Sequence, residues 1–159
     1  MELRVVAYDE PDAVKLIDAV QQEYVVRYGD TDATPVDPAE FAPPHGLFLV
    51  GYVDGEPVAC GGWRVRGEDE AELKRMYVVD SARGRGFARA VLAELERTAR
   101  VAGRRRLVLE TGRKQPEAIA LYRSAGYTGI PKFGIYRDDP LSVCLGKDLE
   151  DDRGDLRTR

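Results

Sequence analysis

The sequence predicts an α+β fold built on a mixed sheet. Residues 47–79 contain three consecutive strand-like runs separated by short polar turns, which is typical of an antiparallel meander. Residues 88–109 then give a helix followed by a strand, the pattern of a crossover connection between parallel strands. A chain of 159 residues with 43% hydrophobic residues can bury one core, so a single domain is expected over residues 1–149.

The N-terminal part predicts one strand and one amphipathic helix. Residues 3–7 form a short apolar run. Residues 9–12, Asp-Glu-Pro-Asp, place acidic groups in a first helical turn, where the helix dipole favours them and a proline is tolerated. The apolar side chains that follow recur at helical spacing and predict one buried face: Ala13, Leu16, Ile17, Val20 and Tyr24. Residues 28–46, which hold four prolines, predict a long connection with one short helix near residues 39–41.

The meander begins with two runs, residues 47–53 and 58–65, which are joined through Asp54 and Gly55. An Asp-Gly pair favours the tight turn of a β-hairpin. Gly61 and Gly62 interrupt the second run and predict a bulge. The third strand covers residues 73–79.

The second half of the chain alternates helices and strands. A helix over residues 88–102 ends at Gly103, and a strand follows at residues 107–109. A further helix over residues 118–125 ends at a glycine, and residues 141–145 predict a terminal strand. Residues 150–159 are charged and nearly free of apolar side chains, which predicts a flexible tail.

Composition argues against several classes of protein. With 28 acidic and 24 basic side chains the net charge is -4, the opposite of the balance typical of nucleic-acid binders. No apolar run has the length of a membrane span and the N-terminus lacks a signal-peptide pattern, so a cytoplasmic protein without membrane contact is expected. Cys60 and Cys144 lie in apolar runs, and the single histidine, His45, has no metal-ligand spacing around it. No metal is therefore expected.

The turn over residues 81–88, Ser-Ala-Arg-Gly-Arg-Gly-Phe-Ala, separates the third strand from the following helix. Gly84 and Gly86 remove side chains where a ligand would approach the backbone. The free amides of the first helical turn and the helix dipole favour a phosphate there. Arg83 and Arg85 add positive charge and hydrogen-bond donors. These three features together predict an anion site.

The turn alone does not show to which class of anion-binding loop it belongs. A nucleoside triphosphatase loop needs Gly-Lys followed by Ser or Thr, which this turn lacks. A dinucleotide fingerprint needs a third glycine where Arg89 stands. A glycine-rich turn that serves only close packing is the remaining alternative.

Three further matches extend the pattern around the turn. Arg83, Gly86 and Ala88 fit, in order, a motif of Arg or Gln, two residues, Gly, one residue, and Gly or Ala. Residues 121–127, Leu-Tyr-Arg-Ser-Ala-Gly-Tyr, fit a late helix and the turn after it, and the strand over residues 72–78 fits as well. In these features the sequence resembles the GNAT family of N-acetyltransferases over nearly all of its length. The resemblance implies a mostly antiparallel mixed sheet of roughly six or seven strands, flanked by about four helices.

The resemblance implies acetyl-CoA as the co-substrate. In the family, strand backbone groups hold the pantetheine arm, and Met76, Tyr77 and Val78 stand at that place. Gln115 stands where many members carry an asparagine that contacts the cofactor, and Gln can donate to the same oxygens through a longer side chain. The resemblance also places Tyr122 beside the cofactor. It assigns the pyrophosphate to the backbone of Arg83, Gly84, Arg85, Gly86, Phe87 and Ala88.

The family chemistry is direct attack of an amine on the thioester, through a tetrahedral intermediate whose oxyanion a strand amide near Val78 would stabilise. Glu72 and Glu110 lie on neighbouring strand segments, and either is a candidate for the base that takes the amine proton. Tyr122 matches the family's frequent general acid. The tyrosine pKa of ~10 lies above the ~8.5 typical of a thiol, so proton transfer to the thiolate is mildly uphill.

The acceptor is expected to be a primary amine of a small molecule or peptide. Aromatic side chains mixed with Asp138 and Asp139 would suit a cationic apolar amine, and the candidate lining aromatics are Tyr24, Tyr28, Phe41, Tyr127, Phe133 and Tyr136. A homodimer is common in the family. A catalytically silent acyl-CoA-binding sensor of the same fold is the alternative function. A nucleic-acid module is disfavoured by the acidic balance, although it would have a ready set of arginines in Arg83, Arg85, Arg104, Arg105 and Arg106.

Overall fold

The structure, a computed structural model, describes residues 1–149, and the predicted tail over residues 150–159 lies outside the described residues. The α-helices of this part are α1 (Pro11–Tyr28), α2 (Phe87–Val101) and α3 (Pro116–Ser124), and short 3-10 helices occur at Pro38–Phe41 and Asp80–Ala82. The strands of the same part are β1 (Glu2–Val5), β2 (Gly46–Val53), β3 (Glu56–Arg66), β4 (Glu70–Val78), β5 (Arg106–Gly112), β6 (Thr128–Gly129) and β7 (Ser142–Asp148).

Within residues 1–149 the strands form one seven-stranded sheet in the order β1-β2-β3-β4-β5-β7-β6. Every neighbouring pair is antiparallel except β4 and β5, which are parallel. The predicted meander is β2-β3-β4, and the predicted crossover is β4-α2-β5, so both are confirmed. The two-residue strand β6 was not predicted, because two residues show no periodicity.

The sheet separates two cores. The core on one side, where α1 packs, contains Leu16, Phe41 and Phe48, with Val50 and Cys60 of the sheet. The core on the other side, where α2 packs, is larger, and its fully buried members include Trp63, Leu92, Leu95, Leu107, Leu109 and Leu145. The sheet is therefore the middle layer between helices. No helix of residues 1–149 is long and apolar enough to cross a membrane.

The predicted turns take the conformations their residues allow. Asp54 and Gly55 both have positive φ, at 51° and 80°, as a tight hairpin turn requires. The register of β3 and β4 shifts between Cys60 and Gly62, which confirms the bulge predicted at the glycine pair. Helix α1 begins at Pro11, directly after its N-cap Glu10, because the carboxylate of Glu10 accepts the amide hydrogens of Asp12 and Ala13 in the first turn.

The sheet splits between its two parallel strands. β4 and β5 pair only over three residues each, from Glu70 opposite Arg106 to Glu72 opposite Val108. Beyond that point β4 continues beside β3 as far as Val78, while β5 continues beside β7. A cleft therefore opens in the middle of the sheet. Side chains from both faces of the sheet can meet in this cleft.

Candidate active site

A cavity of about 270 Å³ lies where β4 and β5 part. Its walls come from helix α1 and the loop after it, from β4, from β5 with the N-terminal part of α3, and from the segment before β7. The lining residues are Tyr24, Tyr28, Asp30, Thr31, Asp32, Leu73, Lys74, Arg75, Met76, Glu110, Thr111, Gly112, Gln115, Ala118, Tyr122, Tyr136, Asp139, Leu141 and Ser142. The cavity joins aromatic surface with buried charge, which is typical of a small-molecule site.

An irregularity at Arg75 adjoins the cavity. Arg75 has φ 63°, in the left-handed region, at the place where the register of β4 shifts against β3. For a residue with a side chain this conformation costs on the order of 1 kcal/mol. Three contacts hold it: the Cys60 thiol donates to the Arg75 carbonyl at 3.2 Å, and the guanidinium donates to the hydroxyl of Tyr8 at 3.2 Å and to Asp32 at 2.7 Å. Strain retained beside a cavity is common at functional sites.

Glu110 brings a carboxylate into the cavity from β5. The hydroxyl of Ser142, on the neighbouring strand β7, donates to its Oε2 at 3.0 Å. Burial raises the pKa of Glu110, and the Ser142 hydrogen bond and the charge of Lys74 oppose that rise only in part. A carboxylate with a raised pKa is a better proton acceptor near neutral pH than an ordinary glutamate.

Glu72, the other predicted base, lies elsewhere. Its side chain is 8% exposed, and its Oε1 accepts from Nε of Arg64 at 3.1 Å. The same guanidinium also donates to Glu40 at 2.9 Å and to the Pro35 carbonyl. Glu72 is not among the described residues that line the cavity. The structure thus places Glu110 in the cavity lining, whereas Glu72 forms an ion pair with Arg64 outside that lining.

Tyr122 reaches the cavity from α3 and is 5% exposed. Its ring packs edge-to-face against Tyr127 with the centroids 5.8 Å apart. Burial raises the pKa of Tyr122 well above its usual value, so the hydroxyl keeps its proton at neutral pH. No group of residues 1–149 forms a hydrogen bond with this hydroxyl, which leaves it free to donate to a ligand.

The predicted anion turn leads from β4 to α2. Gly84 and Gly86 have φ of 78° and 80°, and a Cβ added at either would meet nothing within 4 Å. The backbone conformation therefore requires glycine, and the space beside it stays open for a ligand. Gly86 is the N-cap of α2 and provides no side-chain acceptor for the first-turn amides. These amides suit a pyrophosphate.

The two arginines of the turn are placed differently. The guanidinium of Arg83 donates to the Val78 carbonyl at 2.9 Å and pairs with Glu23 of α1 at 3.1 Å and with Asp80 at 2.8 Å. Its charge is therefore already compensated. Arg85 lies over the ring of Phe87 at 4.8 Å. The amide of Arg83 donates to the Asp80 carbonyl at 3.3 Å, whereas the amides of residues 84–88, including that of Ala88, have no acceptor within residues 1–149.

The remaining predicted cofactor residues adjoin the cleft. Met76 lines the cavity, and Tyr77 and Val78 continue β4 beyond its pairing with β5. Gln115 is the N-cap of α3, but its side chain makes no capping hydrogen bond. Its Oε1 instead accepts from the hydroxyl of Tyr28 at 3.1 Å, so its amide hydrogens are available to a ligand.

Half of the predicted aromatic lining is in place. Tyr24, Tyr28 and Tyr136 line the cavity. The assignment was wrong for Phe41, Tyr127 and Phe133: the first two are 1% exposed and belong to the two cores, and the third packs under the guanidinium of Arg66 at 4.2 Å. Aromatic residues are core-formers first, and the sequence does not show which ones face a cleft.

Sequence reasoning missed a buried charge cluster at the cavity, which consists of Asp32, Lys74 and Arg75. One oxygen of Asp32, Oδ2, accepts from Nζ of Lys74 at 2.7 Å and from Nη1 of Arg75 at 2.7 Å. Burial favours the neutral carboxyl, but the charge of Lys74 and hydrogen bonds from Lys74 and Thr34 outweigh it and hold the pKa of Asp32 far below its usual range. The available signal was two adjacent cations inside an apolar strand.

Asp32→Asn is expected to lower the free energy of unfolding by about 3 kcal/mol, because it leaves two buried cations without their shared carboxylate. The pKa of Asp32 is lower in the folded than in the unfolded protein, so its stabilising effect is complete above the unfolded pKa of about 4 and is lost as the pH falls below it. Urea unfolding at neutral and acidic pH measures both effects. The matched control is Asp18→Asn on the exposed face of α1, which should change little.

Comparison with known proteins identifies the family. The sequence matches the family model of the Acetyltransferase (GNAT) family over residues 14–127, more than half of the chain. The protein therefore belongs to the GNAT family of acetyltransferases. A curated relative, named "IAA acetyltransferase", from Azospirillum brasilense is 41% identical over 115 residues, which cover 72% of this chain and 75% of that protein.

Solved structures show the same fold. A Klebsiella pneumoniae protein described as an acyl-CoA N-acyltransferase is 32% identical, with a TM-score of 0.78 over 94% of this chain and 97% of that one. A GNAT family acetyltransferase from Elizabethkingia anophelis, crystallised with acetyl-CoA bound, has a TM-score of 0.68 over 93% of this chain and 97% of that one. At 15% identity this second likeness concerns the fold alone.

Proposed function

We propose that the protein transfers the acetyl group of acetyl-CoA directly to a primary amine of a small molecule or peptide. The observation that carries the proposal is the meeting of Glu110 and Tyr122 in one cavity at the split between β4 and β5. A proton acceptor and a proton donor are the two groups that this transfer needs. Membership of the acetyltransferase family gives the reaction class.

The residues of the cleft fit acetyl-CoA. The open space beside Gly84 and Gly86 and the uncapped amides of α2 suit its pyrophosphate, as they suit any diphosphate. From Met76 to Val78, β4 has no partner strand on the β5 side within residues 1–149, which suits an extended arm with amide groups, although the Val78 carbonyl already accepts from Arg83. The Elizabethkingia anophelis neighbour, which has acetyl-CoA bound, supports this assignment. When bound, the thioester supplies the activated acetyl group.

Glu110 is the proposed general base. An alkylamine is mostly protonated at neutral pH, and only its neutral form can attack a carbonyl carbon. Glu110 takes the ammonium proton, directly or through one water, and the freed nitrogen lone pair forms the new C–N bond. The raised pKa of Glu110 brings it closer to that of the amine and makes this proton transfer less unfavourable.

Tyr122 is the proposed general acid. As the C–S bond breaks, its electron pair stays on sulfur, and the Tyr122 hydroxyl donates its proton there to give the free thiol. As the amide forms, its nitrogen loses its second proton to water, and the phenolate regains a proton from water, so the proton held by Glu110 is the one released in the overall reaction. Burial, which raises the pKa of Tyr122, keeps the donor protonated beforehand. Burial raises the pKa of a sulfur anion for the same reason, so the pKa values of the donor and of the acceptor shift in the same direction.

The direct test is release of CoA thiol from acetyl-CoA in the presence of a panel of primary amines. Acetyl-CoA alone should raise the melting temperature, since a ligand that binds only the folded state stabilises it, by about 2.7 kcal/mol at a hundredfold excess over Kd. Thiol release with some amine supports the transferase. Stabilisation by acetyl-CoA without release from any amine would instead support the silent sensor.

Gly86→Ala tests the pyrophosphate turn. An alanine at φ 80° costs on the order of 1 kcal/mol of stability and puts a methyl group where the ligand would approach. We expect the KM for acetyl-CoA to rise about 10-fold or more, with the loss of one or more phosphate hydrogen bonds. Steady-state kinetics with varied acetyl-CoA measures it.

Gly67→Ala is the matched control for Gly86→Ala. Gly67 also has positive φ, 61°, with nothing within 4 Å of an added Cβ, but it lies in the turn between β3 and β4. It should show the same loss of stability with an unchanged KM. An equal rise of KM in both variants would mean that strain, and not the ligand site, accounts for the effect.

A further inference from the structure

We infer that the acceptor amine also carries an anionic group, which Lys74 binds inside the cavity. This inference rests on the proposed function and specifies its substrate: an amino acid or a comparable aminoalkyl anion, rather than a simple amine or a polyamine. Carboxylate and phosphate share the required chemistry, and the experiment below separates them.

Lys74 is buried but incompletely paired. Its side chain is 8% exposed, lines the cavity, and donates to Asp32 at 2.7 Å. Within residues 1–149 no second hydrogen-bond acceptor and no second carboxylate within 4.0 Å is found for its Nζ. An ammonium has three donors, so two remain. Leaving buried donors of a cation without acceptors is costly, which favours a ligand that supplies them.

The neighbours of Lys74 cannot supply the missing hydrogen-bond acceptors. Arg75 shares the same oxygen of Asp32, so one carboxylate serves two buried cations. The other oxygen of Asp32, Oδ1, accepts from the amide of Thr34 at 3.0 Å. Asp32 is thus fixed on both sides and cannot turn to offer Lys74 a second bond.

Charge balance inside the cavity favours a zwitterion. The buried and half-buried groups that line it are two cations, Lys74 and Arg75, and two carboxylates, Asp32 and Glu110, so their formal charges cancel. An acceptor with an ammonium toward Glu110 and an anion toward Lys74 adds no net charge. A protonated simple amine would add one uncompensated positive charge, which is expensive away from water.

The formal charges of the cavity and the acceptor also cancel after the proton has moved to Glu110. Once Glu110 is neutral, Lys74, Arg75 and Asp32 together carry one positive charge. The anionic group of the acceptor cancels that charge at the moment when the neutral amine attacks. The other lining carboxylates, Asp30 and Asp139, are exposed at the mouth, where water and salt screen them.

The rest of the lining describes the acceptor's side chain. Tyr24, Tyr28 and Tyr136 present aromatic surface, and Leu73 and Leu141 add apolar surface. A volume of about 270 Å³ suits a ligand of the size of an amino acid. An amino acid with an apolar or aromatic side chain is therefore the expected type.

The experiment compares matched acceptors by thiol release. Each pair consists of an amino acid and its decarboxylated amine, for example phenylalanine with phenethylamine and tyrosine with tyramine. A third acceptor series, aminoalkyl phosphates of equal chain length, separates phosphate from carboxylate. We expect kcat/KM for the wild type to be about 10- to 100-fold higher for the anionic member of each pair, the effect of one or two charge-assisted hydrogen bonds.

Lys74→Met is the corresponding variant. It should lose that preference, with kcat/KM falling about 10- to 100-fold more for the anionic acceptor than for the decarboxylated amine. Lys74→Arg should restore part of it. The matched control is Lys15→Met, on the exposed face of α1 outside the cavity, which should keep the wild-type preference. Stabilisation by acetyl-CoA verifies that each variant folds.

The outcomes separate this inference from the proposed function. Faster acetylation of the decarboxylated amines by the wild type would overturn the inference and leave the transferase intact, even if Lys74→Met did not fold. An unchanged preference in a folded Lys74→Met would also overturn it. Acetyl-CoA binding without thiol release from any acceptor would overturn the proposed function, and the inference with it.

Discussion

Replacing Glu110 by glutamine is expected to lower kcat by about 10²- to 10⁴-fold, the usual effect of removing a general base. Glutamine keeps the size of the side chain and can still accept the hydrogen bond from Ser142, so the fold should survive. The acetyl-CoA-dependent rise in melting temperature should also survive, because Glu110 lies outside the turn that would hold the pyrophosphate. Thiol release and thermal unfolding measure the two quantities.

Glu72→Gln is the informative comparison. It removes a carboxylate from the adjacent strand, but one that pairs with Arg64 and does not reach the lining of the cavity described in residues 1–149. We expect it to lower the free energy of unfolding by about 3 kcal/mol, as for a broken buried ion pair, and to change kcat much less than Glu110→Gln does. The reverse ranking of the two kcat values would transfer the base role to Glu72.

The dependence of kcat/KM on pH tests the role of Glu110 independently. Glu110 must be ionised to accept a proton, so kcat/KM should rise with pH through its pKa, which burial holds above the usual glutamate value of about 4.3. In Glu110→Gln this limb should disappear, and only the titration of the free amine should remain. An identical profile in both enzymes would mean that another group titrates.

Tyr122→Phe is expected to lower kcat by about 10²-fold or more, because the thiolate must then leave without its proton donor. The substitution removes one oxygen and keeps the ring that packs against Tyr127, so the KM for acetyl-CoA should change little. Since the hydroxyl forms no hydrogen bond within residues 1–149, its loss should cost little stability.

Tyr127→Phe is the control for removal of the Tyr122 hydroxyl. Tyr127 is the ring neighbour of Tyr122, and its hydroxyl donates to Glu96 at 2.8 Å away from the cavity. Its removal should cost about 1–3 kcal/mol of stability, the penalty for a buried partner left unpaired, while kcat is retained. Equal losses of kcat in the two variants would indicate that ring packing, and not proton donation, is what matters at Tyr122.

Local chemistry explains which parts of the fold were predictable. The hairpin at Asp54 and Gly55, the bulge at Gly61 and the glycine turn before α2 follow from backbone preferences that the sequence states directly. The helices follow from their apolar spacing. The count of flanking helices comes to three α-helices and two 3-10 helices in residues 1–149, because the connection after α1 and the end of β4 form only short turns.

Only those parts of the site that lie within one segment of the chain could be predicted from the sequence. The cluster of Asp32 with Lys74 and Arg75 joins residues 42 and 43 positions apart, so no local pattern shows it. The choice between Glu72 and Glu110 depends on where the pairing of β4 and β5 stops, which tertiary packing decides. Family resemblance supplied Tyr122, whose burial alone would equally suit a core residue.

The most direct test of acetyl transfer at this cavity is a single assay that follows both products. Wild-type protein, acetyl-CoA and the panel of amines and amino acids are incubated, free thiol is measured, and the acceptor is analysed by mass spectrometry. We expect thiol and N-acetylated acceptor to appear in equal amounts, with Glu110→Gln strongly reduced in both. Stabilisation by acetyl-CoA together with no thiol and no acetylated acceptor, across the whole panel, would contradict the assignment.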